Sequence, residues 1–176
     1  MRQRTFFRGF SMRWNYRLVS AVLVLTSIIG LAFALYLEHV QGLEPCPLCI
    51  FQRIGLIGMG LIALVAFIHN PISNFFKRFY ALLATLAIGW SAGVAARHVW
   101  LQHLPPDQVP SCGPGLDYLV DVLPMKAVLQ QVLSGSGECA MIDWSFLGQS
   151  LPVWSLIYFS LILVICLWQL FRKYPA

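Results

Sequence analysis

The sequence predicts an all-α integral membrane protein: a four-transmembrane-helix bundle with one long loop that contains short helices. Three observations predict it. Hydrophobic residues make up 59% of the chain and charged residues 11%, against about 45–50% and ~25% in soluble domains. Mean hydropathy is +0.72. Four separate apolar runs are each long enough for a helix to cross a hydrocarbon core of about 30 Å, which takes about 17–25 residues. A chain of 176 residues suffices for one domain, and we read residues 1–176 as a single membrane domain.

The first span is expected at about 18–37, "LVSAVLVLTSIIGLAFALYL". Basic residues before it and "AFA" near its end also suggest a cleaved signal peptide, but the run exceeds the usual apolar region of about 7–15 residues. The second span is expected at about 48–68, with Gln52 and Arg53 near its start, the third at about 79–96 and the fourth at about 151–171. Each is expected to be helical, because lipid offers no partner to an unpaired backbone amide.

Charge sets the orientation. Arg2, Arg4, Arg8, Arg13 and Arg17 precede the first run, Lys77 and Arg78 sit between the second and third, and Arg172 and Lys173 follow the fourth. Cytoplasmic termini put nine of the twelve basic residues inside and all seven acids outside, as the positive-inside rule requires. The net charge of +5 therefore marks membrane ends and gives no reason to expect nucleic acid. The outer loops are expected at about 38–47 and 97–150.

The longer loop reads in three parts. "HLPPDQVPSCGPG" is rich in Pro and Gly and should be irregular. "LDYLVDVLPMKAVLQQVL" has helical apolar spacing that Pro124 should break into two pieces. "MIDWSFLGQSLPVW" suits either a segment in the headgroup layer or one whose Trp144 and Phe146 pack on top of the bundle.

Five cysteines are present: Cys46, Cys49, Cys112, Cys139 and Cys166. Cys166 falls inside the fourth span and reads as a small hydrophobe. The other four lie on the outer side, where disulfides persist, and allow three pairings. Local pairing would join Cys46 to Cys49 and Cys112 to Cys139, the latter a staple of roughly 3.5 kcal/mol by chain entropy. An all-thiolate zinc site is a further reading, weakened by a second pair that is not CxxC. The redox reading accounts for more of "EPCPLCIFQR". Pro47 suits the first turn of a helix, so Cys49 sits near the positive end of the dipole, which favours thiolate. Arg53 is at i+4 from Cys49, on the same face; it is either a snorkelling side chain or a functional one. A thiolate and an arginine at a membrane edge ask for an electron acceptor dissolved in lipid, and a quinone fits.

Four spans, CxxC-x3-R at the top of the second, "ARHVWLQH" after the third and "ECAMIDWSFLGQSLPVW" before the fourth closely resemble the DsbB family of bacterial disulfide-forming membrane proteins. The resemblance implies an inner-membrane enzyme that reoxidises a periplasmic thioredoxin-like dithiol oxidase of the DsbA type. It passes the electrons to ubiquinone or another membrane quinone, with no metal. By motif, Cys46 and Cys49 form the quinone-coupled pair, and Cys112 and Cys139 form the pair offered to the partner. Arg53 and His98 fall at positions associated with the quinone; His98 otherwise reads as a polar residue at the end of the third helix. Two competing readings are a vitamin-K-reductase-like oxidoreductase, whose CxxC follows its loop cysteines, and a membrane scaffold with a stapled outer loop. A haem protein is disfavoured, since no CxxCH occurs.

Overall fold

The computed structural model describes residues 15–105, 107–109, 116–135, 137–142 and 144–172. Four long helices are long and apolar enough to span a membrane: α1 (Tyr16–His39), α2 (Pro47–His69), α3 (Asn74–Gln102) and α7 (Leu151–Phe171). Short helices α4 (Leu116–Val122), α5 (Met125–Ser134) and α6 (Gly137–Ala140) lie between α3 and α7. The expected all-α membrane bundle is present.

The helices extend past the apolar runs that announce them. α3 begins five residues before residue 79 and continues six past residue 96. Lys77, Arg78 and Arg97 end an apolar run without ending a helix, because charged residues cost little helix propensity. What stops and starts the helices is local. Ser73 Oγ accepts from the Phe75 amide at 3.3 Å to cap α3. Asn70, in the left-handed region with φ 43°, closes α2. Pro47 occupies the first turn of α2, with Cys46 in extended conformation as its cap.

Packing runs α1 on α2, α2 on α3 and α3 on α7. One stripe of α1 (Tyr16, Val19, Ser20, Leu23, Ser27) is buried, while Leu25, Ile28 and Ile29 are more than half exposed, as a lipid-facing surface would be. Small and hydroxyl residues bring the backbones close. Ser27 Oγ donates to the Leu56 carbonyl at 3.0 Å and Ser91 Oγ to the Gln52 carbonyl at 2.9 Å. At Gly55 an added Cβ would stand 2.2 Å from Ser91 Oγ. Met59, Ile88, Phe159, Ile162 and Cys166 fill the centre; Cys166 is fully buried there.

A second apolar cluster seats the long loop on the bundle. Leu119, Val128, Val132 and Cys139 pack on Leu48, Val94 and Leu101. Pro124 caps α5 just after α4 ends, which is the expected break. Gly135, at φ 92°, turns the chain over Leu101, whose Cδ1 would lie 2.6 Å from an added Cβ, so only glycine fits. Residues 145–150 form a small hairpin: β1 (Ser145–Phe146) pairs antiparallel with β2 (Gln149–Ser150), Ser145 opposite Ser150. Leu147 and Gly148 both have positive φ, the requirement of a tight two-residue turn whose twist matches its strands.

Candidate redox site

The site stands at the loop end of the bundle and is assembled by α2, α3, α6 and α1. Cys46 caps α2 and Cys49 lies in its first turn, so the positive end of the helix dipole faces both sulfurs. Their Sγ atoms are 3.1 Å apart, two thiols in contact. His98, from the last turns of α3, is buried at 3% exposure and sits beside the pair. Its Nε2 is 3.9 Å from Cys46 Sγ and its Nδ1 is 3.9 Å from Cys49 Sγ. Gln52, also buried, brings its amide nitrogen to 3.4 Å from His98 Nδ1.

The long loop delivers a third sulfur. Cys139 on α6 is buried, and its Sγ, Cys46 Sγ and a ring nitrogen of His98 all lie within 4.8 Å of one another. Such spacing is the grouping a soft metal ion needs, and it is equally what a thiolate needs to attack a neighbouring sulfur. Arg97 holds the loop in place. It donates to the Leu133 carbonyl at 3.1 Å and the Ser134 carbonyl at 3.0 Å, the open C-terminal end of α5, and lies 4.1 Å over the Trp100 ring. Ser150 Oγ donates to Gln102 Oε1 at 2.6 Å, tying the start of α7 to the end of α3.

Below the sulfurs a cavity of about 470 Å³ runs along the seam between α1 and α7, within the usual range for small-molecule sites. Its walls are mainly apolar, with Ile29, Phe33 and Leu37 on one side and Leu151, Trp154 and Phe159 on the other. Polar groups gather at one end: Cys46, Cys49, Gln52, Arg53 and His98. The hairpin roofs it with Trp144 and Phe146, whose rings stack at 6.1 Å between centroids. Trp154 Nε1 donates to the Phe146 carbonyl at 3.1 Å. Arg53 donates through Nη1 to Glu38 Oε2, forming an ion pair, and through Nη2 to the Ala34 carbonyl at 3.4 Å.

Five of the six residues singled out from sequence therefore converge: Cys46, Cys49, Cys139, Arg53 and His98. The sixth, Cys112, lies outside the described residues. Sequence reasoning missed Gln52 as a partner of His98, Glu38 as a partner of Arg53, and Arg97 as the anchor of the loop. One signal for Glu38 was present: it is the acid closest to the end of the first apolar run, across a short loop from Arg53.

Fold and site together define a helical, multi-pass membrane protein with a thiol centre at one end of its bundle, set over an apolar cavity. Comparison with known proteins carries this class to a family. The family profile described as DsbB, disulfide bond formation protein DsbB, matches residues 16–169. Proteins called disulfide bond formation protein B are similar along nearly their whole lengths. That of Acinetobacter baumannii is 77% identical over 165 residues, covering 94% of this chain and 96% of the relative. That of Acinetobacter baylyi is 74% identical over the same shares. That of Psychrobacter cryohalolentis is 54% identical over 90% of this chain and 92% of the relative. The chain belongs to the DsbB family, and its role lies in disulfide bond formation.

Proposed function

We propose that this protein reoxidises a periplasmic dithiol oxidase of the DsbA type and passes two electrons to a membrane quinone. The observation that carries the reading is the gathering of Cys46, Cys49 and Cys139 around His98, with Cys46, Cys49 and His98 on the wall of an apolar cavity. Thiol exchange needs sulfurs within reach of one another, and a lipid-soluble acceptor needs an apolar slot with a polar end. Both meet at Cys46 and Cys49. The charge asymmetry of the sequence supports cytoplasmic termini in the bacterial inner membrane, which puts this end of the bundle in the periplasm.

Each step is thiolate attack on a disulfide. The partner's thiolate attacks Cys112 in a Cys112–Cys139 disulfide, and Cys139 leaves as thiolate. The second partner thiol resolves the mixed disulfide, releasing oxidised partner and reduced Cys112. Cys139, already beside Cys46, attacks it and expels Cys49 as thiolate toward the cavity. Return of Cys112 to Cys139 restores the loop disulfide and leaves Cys46 and Cys49 reduced. A quinone bound in the cavity would accept two electrons and two protons and leave as quinol, with Cys46 and Cys49 rejoined. The cavity fits such a group: its length is apolar, and Arg53 and His98 line it beside the sulfurs, with Arg53 able to donate to a quinone carbonyl oxygen.

The test follows quinone loss on mixing purified protein, a short-chain ubiquinone and a reduced DsbA-type partner. One quinone should be consumed per partner disulfide formed. Cys49→Ser should abolish the consumption, while Cys166→Ser, altered only in the bundle centre, should retain it. Turnover that survives loss of Cys49 would refute this route. Loop disulfides that resist mild reductant, with no quinone consumed, would favour the scaffold reading.

A further inference from the structure

Arg53 reaches the cavity from α2, yet both of the hydrogen bonds that fix its guanidinium run to α1. Nη1 donates to the Glu38 carboxylate in the last turn of that helix, and Nη2 donates to the Ala34 carbonyl one turn earlier. Arg53 lines the cavity whereas Glu38 does not, so the carboxylate grips the guanidinium from outside the cavity. Two anchors on separate nitrogens of a planar group set its plane as well as its position. These bonds use two of its five N–H donors, and the residue itself lines the cavity. Without that grip a long basic side chain at a membrane edge swings toward water.

We infer that Glu38 is a positioning residue for the electron acceptor: it holds the Arg53 guanidinium on the cavity wall, ready for an acceptor oxygen. The inference rests on the reading that the cavity takes a quinone. Two consequences follow from charge and geometry. The ion pair keeps the cavity rim close to neutral, so an uncharged acceptor enters without facing a bare cation. Arg53 is in place before the acceptor binds, so the acceptor oxygen meets an oriented donor and binding carries less side-chain ordering cost. The Arg53 end of the site is thereby set by two helices, and α1 contributes to it through Glu38 as well as through its own wall residues.

The test uses the full-length protein in nanodiscs with a reduced DsbA-type partner and a short-chain ubiquinone as the varied substrate. Glu38→Gln should raise the KM for quinone about fivefold, the upper reach of a partly exposed ion pair, with kcat much less affected. Quinone-free oxidation of one equivalent of partner, which uses only the sulfurs, should be unchanged. Glu38→Asp should recover part of the KM. Arg53→Gln should raise KM at least as far, and adding Glu38→Gln to it should do nothing more. An unchanged KM in Glu38→Gln beside a raised one in Arg53→Gln would overturn the inference while sparing the acceptor reading. Additive effects in the double variant would overturn it too. Quinone turnover indifferent to both Arg53→Gln and Cys49→Ser would instead bring down the acceptor reading itself. Quinone-free exchange doubles as the check on folding; if Glu38→Gln loses it, Glu38→Asp carries the comparison.

Discussion

His98 stands 3.9 Å from each sulfur of the CxxC, one ring nitrogen to each. That distance is long for a settled hydrogen bond, and a small approach of ring and sulfur would bring them within proton-transfer reach once a thiolate forms. The Gln52 amide nitrogen lies 3.4 Å from Nδ1 and steadies the ring beside the two sulfurs. His98 is therefore placed to serve the exchange between sulfurs as much as the acceptor. His98→Asn should slow quinone-free electron transfer from the partner by about 10²-fold, the usual scale for loss of a proton-transfer group. Stopped-flow fluorescence of the partner measures it, and an unaltered rate would confine His98 to the acceptor side. At this scale the sequence was legible where chemistry is local. CxxC and Arg53 share one helical face by i+4 spacing alone. Glu38 and Gln52 were not legible as partners, because their contacts depend on how α1 and α3 lie against α2. No spacing within a single helix encodes that.

At the scale of elements, the short helices behave as a carrier for Cys139. α5 places Val128 and Val132 on the bundle, and Arg97 closes its C-terminal end through two carbonyls. α6, which bears Cys139, follows within three residues of that end. Loss of Arg97 leaves those carbonyls to water and removes the stacking on Trp100. Arg97→Ala should therefore loosen α5 and α6 with little effect on the four long helices. In reduced protein, alkylation of Cys139 by a maleimide should quicken about tenfold, the factor for a loss of roughly 1.4 kcal/mol in local opening. Cys166, fully buried in the bundle, should stay as slow as before. Equal acceleration at both cysteines would mean global destabilisation. The break at Pro124 was readable because proline acts on its own helix. The hairpin was not: Leu147 in the left-handed region is uncommon for a branched residue, so only Gly148 hinted at the turn.

For the whole molecule, the four spans were legible because hydropathy acts along one dimension. The cavity was not, since it arises from the way the bundle closes. α1 meets α2 and α3 meets α7, while α7 reaches α1 through Tyr158, whose hydroxyl donates to the Thr26 carbonyl. The seam above that contact stays open and becomes the cavity. Gly30 sits where the seam narrows, and a Cβ there would stand 3.0 Å from both Leu56 Cδ2 and the Tyr158 hydroxyl. These are ends of side chains, so they would shift rather than block folding. Gly30→Val should push them into the cavity at a cost of about 1–3 kcal/mol in stability, as overpacking usually does. The two half-reactions should then part company. Quinone KM should rise severalfold, because the acceptor's slot is narrowed. Quinone-free oxidation of the partner should keep its rate, because the sulfurs and His98 lie at the other end of the cavity. Steady-state kinetics with varied quinone, set beside single-turnover exchange, measures both. If the exchange slowed as much as quinone reduction, cavity and sulfurs would be one mechanical unit, and electron entry and exit would not be separate functions of this bundle.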